Sequence, residues 1–533
     1  MEQRQLVFPH GDRGQAQACG IWCARACLLC FVLSGNSLWG ADARAALQKA
    51  ASLVQQGRLE EADEQATLAL SDPETRPAAC SVLGTIRFQQ RRLSESASFF
   101  EQAIRLEPRL LGAHLSLAAV YSLQGKQEPA LRLYRRVLKL DPSNTTARLA
   151  LARSETEKGN YRTSLELAQP VLQTLKGFHD GLLVLVADYV KIGDRAAAAE
   201  LAKDWARLPN TSPAWSIEFA LLLAKGEVIP EAIDILEQAK ETGPPSYELA
   251  FNLAGLYLLK NDIVRALENY DLALSVEPEA IPALRQAADL AERQGELERA
   301  LSYWIKAKKI EPDHAEVLLG FGRVCLKMDL LEDAEPALTK AASLRPGDPS
   351  YQYTLAAAKV GKKQFQAGQA LLEGILTKRQ NNPQVQYALG AVLYLEGHLA
   401  EAAEHLRKSV ALQRDQIAPY YYLALVSRDQ GNEAEAIRML EELLWRYPDH
   451  APSCEVLGGL LMNARRYPEA QASLEKAVHL NPKSVKANYQ LGLLLVRMGR
   501  KDEADKQFEI AKSLRTEDEA NSHLQLRLLD PDQ

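Results

Sequence analysis

Tyr247 to Ala280 reads YELAFNLAGLYLLKNDIVRALENYDLALSVEPEA, and it decides the fold. Leu253, Ala254, Tyr257 and Leu258 form a helical apolar stripe. Lys260, Asn261 and Asp262 break it, as a turn does. Ala266, Leu267, Tyr270, Ala273 and Leu274 then share one face of a second helix. Glu277-Pro278 ends that helix, because a residue before proline is pushed out of helical geometry. Neither helix can bury its stripe alone, so the unit needs a neighbour.

The chain supplies one every 34 residues. Steps of 34 from Pro108 meet Pro142, Lys176, Asn210, Pro244, Pro278, Pro312, Pro346, Gln380, Arg414, Pro448 and Pro482, with no insertion or deletion. Twelve residues before each slot stands a small residue, from Ala62 and Ser96 through Ser164, Ala266 and Gly368 to Ala504. Twenty-four residues before it stands Ala or Gly in every unit but one, where Val186 intervenes. Two antiparallel helices in a tight hairpin cross where a larger side chain would collide, and overpacking such a site costs about 1–3 kcal/mol.

These residues resemble the tetratricopeptide repeat. Leu83-Gly84, Leu253-Ala254, Leu389-Gly390, Leu457-Gly458 and Leu491-Gly492 stand in first helices, with Tyr121, Tyr189 and Tyr257 three residues after the small one. Phe100, Tyr134, Tyr270, Trp304 and Phe508 follow the second small slot by four. The family's tryptophan-like fourth position is filled variously, by Cys80, His114, Arg148, Ser216 or Tyr420. The resemblance implies an all-α, right-handed α-solenoid of about fourteen 34-residue helix-turn-helix repeats over residues 43–518. Residues 519–533, with Leu524, Leu526, Leu528 and Leu529, read as a C-terminal capping helix, because the last apolar face of a solenoid needs cover.

Residues 1–42 precede the repeats. Arg4, Arg13 and Arg25 lead into the apolar run Ala26 to Leu33, and small residues follow up to Ala41-Asp42-Ala43. That is the layout of a secretory signal. The run is too short for a spanning helix, which needs roughly 20 apolar residues. The expectation is a periplasmic or secreted protein, with an uncleaved N-terminal anchor in the inner membrane as the alternative. Cys19, Cys23, Cys27 and Cys30 lie on one helical face there, but no His or acidic ligand accompanies them, so no metal is expected. Cys80, Cys325 and Cys454 read as small core residues.

The punctuation is consistent with helical hairpins. Pro77, Pro213, Pro349 and Pro383 open first helices, and Pro230 and Pro468 open second helices. Gly57, Gly125, Gly159, Gly193, Gly295, Gly397, Gly431 and Gly499 fall in one turn slot. The irregular pair is 145–178 and 179–212. Its closing slots hold Lys176 and Asn210, Glu155 replaces an aromatic or Leu, Trp205 fills a slot that is mostly Ala, and Pro170 should kink a second helix.

The sequence carries no Gly-rich phosphate loop after a strand, no G-x-S-x-G, no H-E-x-x-H and no paired C-x-x-C. His398 and His405 read as surface residues flanking a turn. No catalysis and no cofactor are expected. The net charge of −6 argues against a nucleic-acid partner. The basic runs Arg132, Arg135, Arg136, Lys139 and Lys306, Lys308, Lys309 are read as solvated helix faces. Oligomeric state is not readable.

What the resemblance offers is a concave groove lined by first helices. Its fifth-position residues here are Phe251, then Tyr353, Tyr387, Tyr421, Glu455 and Tyr489, with Tyr394 and Tyr422 close by. Tyrosine gives contact area and a polar tip, which suits recognition. Arg285, Asp289, Glu292, Arg293 and Arg323 make a charged section, and Leu47, Val54, Phe88, Leu115 and Leu149 an apolar one. The carboxylate clamp of chaperone-binding members is absent, and so is the asparagine ladder of sugar-transferase scaffolds, for which only Asn252 stands in place. The reading is a scaffold for peptide or protein segments in assembly of a cell-envelope complex. The alternative is a targeting subunit of an enzyme whose catalytic chain is separate. Membrane contact would come only through the N-terminal segment.

Overall fold

A computed structural model describes residues 41–209, 211–378 and 381–518. Residues 1–40 of the 1–42 leader and the proposed cap 519–533 lie outside these residues; the first helix begins at Ala41, two residues inside the expected leader. Among the described residues every regular element is helical, and helices pair along the chain in fourteen hairpins. We number them as repeats 1–14, beginning at 43, 77, 111 and so on every 34 residues. Contacts divide the chain into two units, one running to Pro278 and the other starting at Glu279. Each unit holds seven repeats.

In the first unit the hairpins run from Ala41–Gln55 with Leu59–Leu68 to Tyr247–Leu259 with Ile263–Val276. The deciding stretch therefore folds as its periodicity predicts. Ser246 caps its first helix through Leu249 N (3.4 Å), and Asp262 caps its second through Arg265 N (3.2 Å). The second unit begins with Ile281–Arg293 and Leu297–Ile310 and ends with Val485–Arg497 and Lys501–Asp518. That last helix has 18 residues, where the preceding second helix, Tyr467–Leu480, has 14.

Both small-residue registers are buried in all fourteen repeats, from Ala50 and Ala62 to Gly492 and Ala504. The close approach is literal. A Cβ built on Gly84 would stand 2.8 Å from Phe100, one on Gly390 2.7 Å from Leu406, and one on Gly458 2.5 Å from Leu474.

The turn slot is left-handed throughout. Eight glycines hold it at φ between +73° and +85°. Arg91, Glu227, Asn261, Asp329, Lys363 and Arg465 hold it at φ near +60°. These fourteen residues are spaced by 34, so the backbone keeps a turn geometry that the side chain does not always favour.

One irregularity falls where the sequence places it; another, the 3₁₀ turn Ala69–Ser71 after the short second helix Leu59–Leu68 of repeat 1, does not. In repeat 4 the second helix stops at Ala168, Gln169–Val171 is a 3₁₀ turn, and helix resumes at Leu172–Leu175. Pro170 removes one N–H and crowds the preceding turn there. Pro336 sits inside Leu331–Leu344 and leaves it continuous. Cys80, Cys325 and Cys454 are buried free thiols, as small core residues would be.

Candidate functional site

The candidate groove residues of the second unit fall into two sections. The aromatic section is carried by Pro383–Leu395 and Ile417–Asp429, the first helices of repeats 11 and 12, and by His450, which precedes the first helix of repeat 13. Tyr387 and Tyr422 meet edge to face at 5.8 Å, Tyr394 and Tyr422 at 5.6 Å, and Tyr421 and Tyr422 at 5.7 Å. Tyr421 also meets His450 at 5.4 Å. These are the spacings at which the positive edge of one ring faces the negative face of the next.

The Tyr394 hydroxyl is anchored. Tyr394 donates to Asp429 Oδ2 at 2.7 Å and accepts from Arg428 Nη2 at 3.2 Å. Burial, then the Asp429 carboxylate, pushes the Tyr394 phenol up to about 12. Burial, then Glu455, raises that of Tyr421 further. Both phenols stay neutral under ordinary conditions.

Two of the expected groove tyrosines belong instead to the core. Tyr387 is 0% exposed and packs among Val360, Leu389 and Leu406. Tyr353 is 9% exposed. Their slot faces the neighbouring first helix closely enough to be covered by it. Tyr394, Tyr421 and Tyr422 are half-buried, and Tyr489 is 51% exposed, tilted against Phe508 at 5.5 Å.

The charged section is a clasp between the first helices of repeats 8 and 9. Arg323 places Nε 2.9 and 3.0 Å from the two Glu292 oxygens, and its Nη2 reaches Asp289 Oδ1 at 2.8 Å. Lys327 stands 3.4 Å from Glu292, which is only 8% exposed. Burial opposes the charge on Arg323, but the bonds to Glu292 and Asp289 outweigh it and hold its pKa above the usual value. Burial raises Asp289 despite Arg323 beside it. Arg285 pairs with Glu316. Both candidate arginines are thus committed to carboxylates of this chain. The pairing spans 34 and 31 residues, one repeat.

Next to this clasp lies a cavity of about 840 Å³, lined by Arg323, Arg345, Tyr353, Thr354, Asn382 and Gln384 among others. It lies where the loop between repeats 9 and 10 approaches the helix start at Pro383. Asn382 caps that helix through Val385 N at 3.1 Å.

In the first unit, Phe251 stacks on Tyr247 (5.5 Å, 28°) and meets Tyr270 edge-on at 5.4 Å, which makes it a packing residue, half-buried. Asn252 is buried and donates to Glu248 O at 2.7 Å, so it serves its own helix. Of the apolar early residues, Val54 and Leu115 are buried in the cores of their repeats.

One cluster escaped the sequence reading. His179 lies between Trp205 (5.1 Å) and Trp215 (4.5 Å), and Trp205 stacks on Phe219 at 4.1 Å. His179 Nε2 is 2.8 Å from Thr211 Oγ1. Burial lowers its pKa, with Asp180 opposing. The signal was two tryptophans and a phenylalanine within fifteen residues. His405 is a second correction: it is half-buried, with Nδ1 2.7 Å from Gln386 Oε1, and burial lowers its pKa. Among the described residues no helix is long and apolar enough to cross a membrane.

A chain of helical hairpins with half-exposed aromatic rings on first helices is an α-helical repeat scaffold. Tetratricopeptide-repeat profiles match residues 111–154, 291–358, 353–419, 420–450 and 456–515. The chain belongs to the tetratricopeptide-repeat family. It is 24% identical over 316 residues to human protein O-mannosyl-transferase TMTC3, covering 49% of this chain and 34% of that protein. It is 24% identical over 297 residues to the CTR9 homolog of Arabidopsis thaliana, covering 53% of this chain and 27% of that protein. The chain thus spans about a third or less of the length of these relatives. Among solved structures it is similar to the Cut9-Hcn1 hetero-tetramer of APC/C, at 15% identity and a TM-score of 0.40, covering 86% of this chain and 98% of that one.

Proposed function

We propose that the chain is a non-catalytic scaffold that binds extended protein or peptide segments along the first helices of its second unit. The observation that carries this reading is the row of Tyr394, Tyr421 and Tyr422, half-buried and hydrogen-bonding at the Tyr394 tip; a separate cavity opens at Tyr353 and Gln384. Rings fixed by neighbours lose little entropy on binding, and aromatic anchors dominate recognition surfaces. The charges nearby are already paired, so contact area and hydrogen bonds, more than ion pairs, supply the affinity. The leader over residues 1–42 supports a periplasmic or secreted location and a role in assembling a cell-envelope complex, with residues 43–518 as the solenoid and 519–533 as its cap.

The test is a pull-down from envelope extract with the full chain and with a Tyr394→Ala, Tyr421→Ala, Tyr489→Ala variant whose helical content is checked by circular dichroism. The expected result is a partner recovered by the parent and reduced at least tenfold with the folded variant. Equal recovery by both removes the aromatic row as the binding surface.

A second reading has the chain as the targeting subunit of an enzyme complex. The similarity to TMTC3, named a transferase, favours it. An activity that copurifies and is lost when the chain is separated would support that reading over the first.

A further inference from the structure

Asp188 occupies a slot that is otherwise apolar in nearly every repeat. Steps of 34 from it meet Val120 and Ile86 in one direction and Leu222, Leu256, Leu290, Val324, Ala358, Val392, Val426, Leu460 and Leu494 in the other. The exceptions are the serines of repeats 1 and 4. Asp188 is 0% exposed. It lies near the end of His179–Ile192, the first helix of repeat 5, which packs on the interrupted second helix of repeat 4.

Its surroundings hold hydroxyls and no cation. Thr156 Oγ1 is 2.8 Å from Asp188 Oδ1, 3.0 Å from Ser164 Oγ and 3.1 Å from Ala152 O. Asp188 Oδ2 has no hydrogen-bond partner. The charges on the elements packed around it are engaged or turned away. In Thr145–Glu157, Arg153 pairs with Asp180 at 3.0 Å, and Glu155 holds Asn160 and Lys158. In Tyr161–Ala168, Arg162 and Glu166 are exposed. In Arg195–Trp205, Asp204 holds Lys176 at 3.0 Å and Glu200 holds Lys203 at 2.7 Å, while Arg195 pairs with Glu227. In Pro213–Lys225, Glu218 and Lys225 are exposed. On its own helix His179 and Asp180 lie two turns away, and Lys191 is exposed. Burial raises the proton affinity of Asp188, and the Ser164 and Thr156 hydroxyls lower it.

A buried carboxylate with no counter-ion neutralises in preference to paying its desolvation. The hydroxyl geometry suits the neutral form. With a proton on Oδ1, Asp188 donates to Thr156 Oγ1, Thr156 donates to Ala152 O, and Ser164 donates to Thr156, so each proton has an acceptor. We infer that Asp188 is held in the folded chain as an uncharged carboxylic acid, and that its ionisation loosens the joint between repeats 4 and 5. The sign follows from linkage. A carboxyl whose folded state prefers the proton gives stability that is full below its unfolded pKa of about 3.9 and is lost as pH rises through the folded value. The joint is therefore tightest in acid and looser as pH rises.

The test is amide hydrogen exchange of the full chain and of Asp188→Asn, followed in peptides from 161–175 and 179–192 between pH 4.5 and 8. Rates are corrected for intrinsic exchange. The readout is the ratio of parent to variant opening at each pH, in which the separate contribution of His179 cancels. The ratio should lie near its lowest value at pH 4.5 and rise at least tenfold by pH 8. Asp188→Val, which restores the residue type of the other repeats, should show the same rise in the ratio if Asn perturbs the fold. A ratio independent of pH in both comparisons overturns the inference. So does an infrared spectrum in which the parent lacks a protonated-carboxyl band that Asp188→Asn removes, at a pH where exposed carboxylates are ionised.

Discussion

Repeats 4 and 5 and repeats 11 and 12 use one register for opposite ends. In both pairs the small slots are buried and the turn residue is left-handed: Gly159 and Gly193 in one, Gly397 and Gly431 in the other. In residues 383–450 the slot equivalent to Asp188 holds Val392 and Val426, the buried polar groups are uncharged, as at Gln386, Ser409 and Gln416, and the Tyr394 tip reaches Asp429 and Arg428. In residues 145–212 polar groups turn inward, and a second helix is broken in the middle. The difference teaches which features specify the hairpin. The close crossing and the turn are kept everywhere; the closing proline, the helix length and the chemistry of the core slots are allowed to vary.

The largest expected effect comes from the same fifth-position slot in each region. Tyr387→Ala removes a fully buried ring, and large-to-small changes of aromatic residues cost about 3–5 kcal/mol. Leu149, in that slot of repeat 4, is half-buried, so Leu149→Ala should cost about 1–2 kcal/mol. Urea unfolding followed by tyrosine fluorescence and by circular dichroism measures both. Equal costs would mean that repeats 4 and 5 are packed as tightly as repeats 11 and 12, and the comparison would fail.

A smaller but cleaner contrast lies one slot from the end of the second helix's third turn. Pro170 and Lys408 occupy the same repeat position, and Leu399–Leu412 is continuous where repeat 4 breaks. Lys408→Pro should cost about 3 kcal/mol, the usual price of proline in a helix interior. Pro170→Ala should shift stability by less than about 1 kcal/mol, because the surrounding packing has already adapted to the break. A large gain in Pro170→Ala, read from the thermal midpoint, would show that the break is imposed by the proline alone.

How much of this was legible depends on whether a feature repeats. The hairpins, the two small slots, the turn glycines and the break at Pro170 could be read because each is a local rule, applied or violated at a fixed spacing. The left-handed turn at Lys363 and Arg465 could not be read from residue type, since neither residue favours that backbone; only the ladder places them there. The Arg323 clasp was half-legible. The candidate charges stand one repeat apart from Asp289, yet the same residues read equally well as ligand-facing until the distances show them satisfied. Tyr387 failed for a different reason. Sequence gives a residue's slot but not how closely the next first helix covers it, so a core tyrosine and a groove tyrosine look alike. Asp188 was open to view as an acid in an apolar ladder, but that ladder is read only when every slot is stepped, not just those carrying proline, glycine or tyrosine.

The smallest prediction concerns the feature on which the two regions agree. Gly159 and Gly397 hold φ at +83° and +84°, and a Cβ on Gly397 would meet no atom within 4 Å, while one on Gly159 would meet only the Tyr161 hydroxyl at 3.9 Å. Neither site is short of space, so a substitution there reports backbone strain alone. Gly159→Ala and Gly397→Ala should each cost about 1 kcal/mol, from the left-handed conformation of an L-residue. Lys363→Gly should return a similar amount, less the entropy that glycine adds to the unfolded chain. Matching costs at Gly159 and Gly397, measured by urea unfolding, would locate the disorder of repeats 4 and 5 in their core and their broken helix. A cost near zero at Gly159 alone would instead mean that its turn relaxes freely, and that the irregularity of repeat 4 extends to the one element every repeat shares.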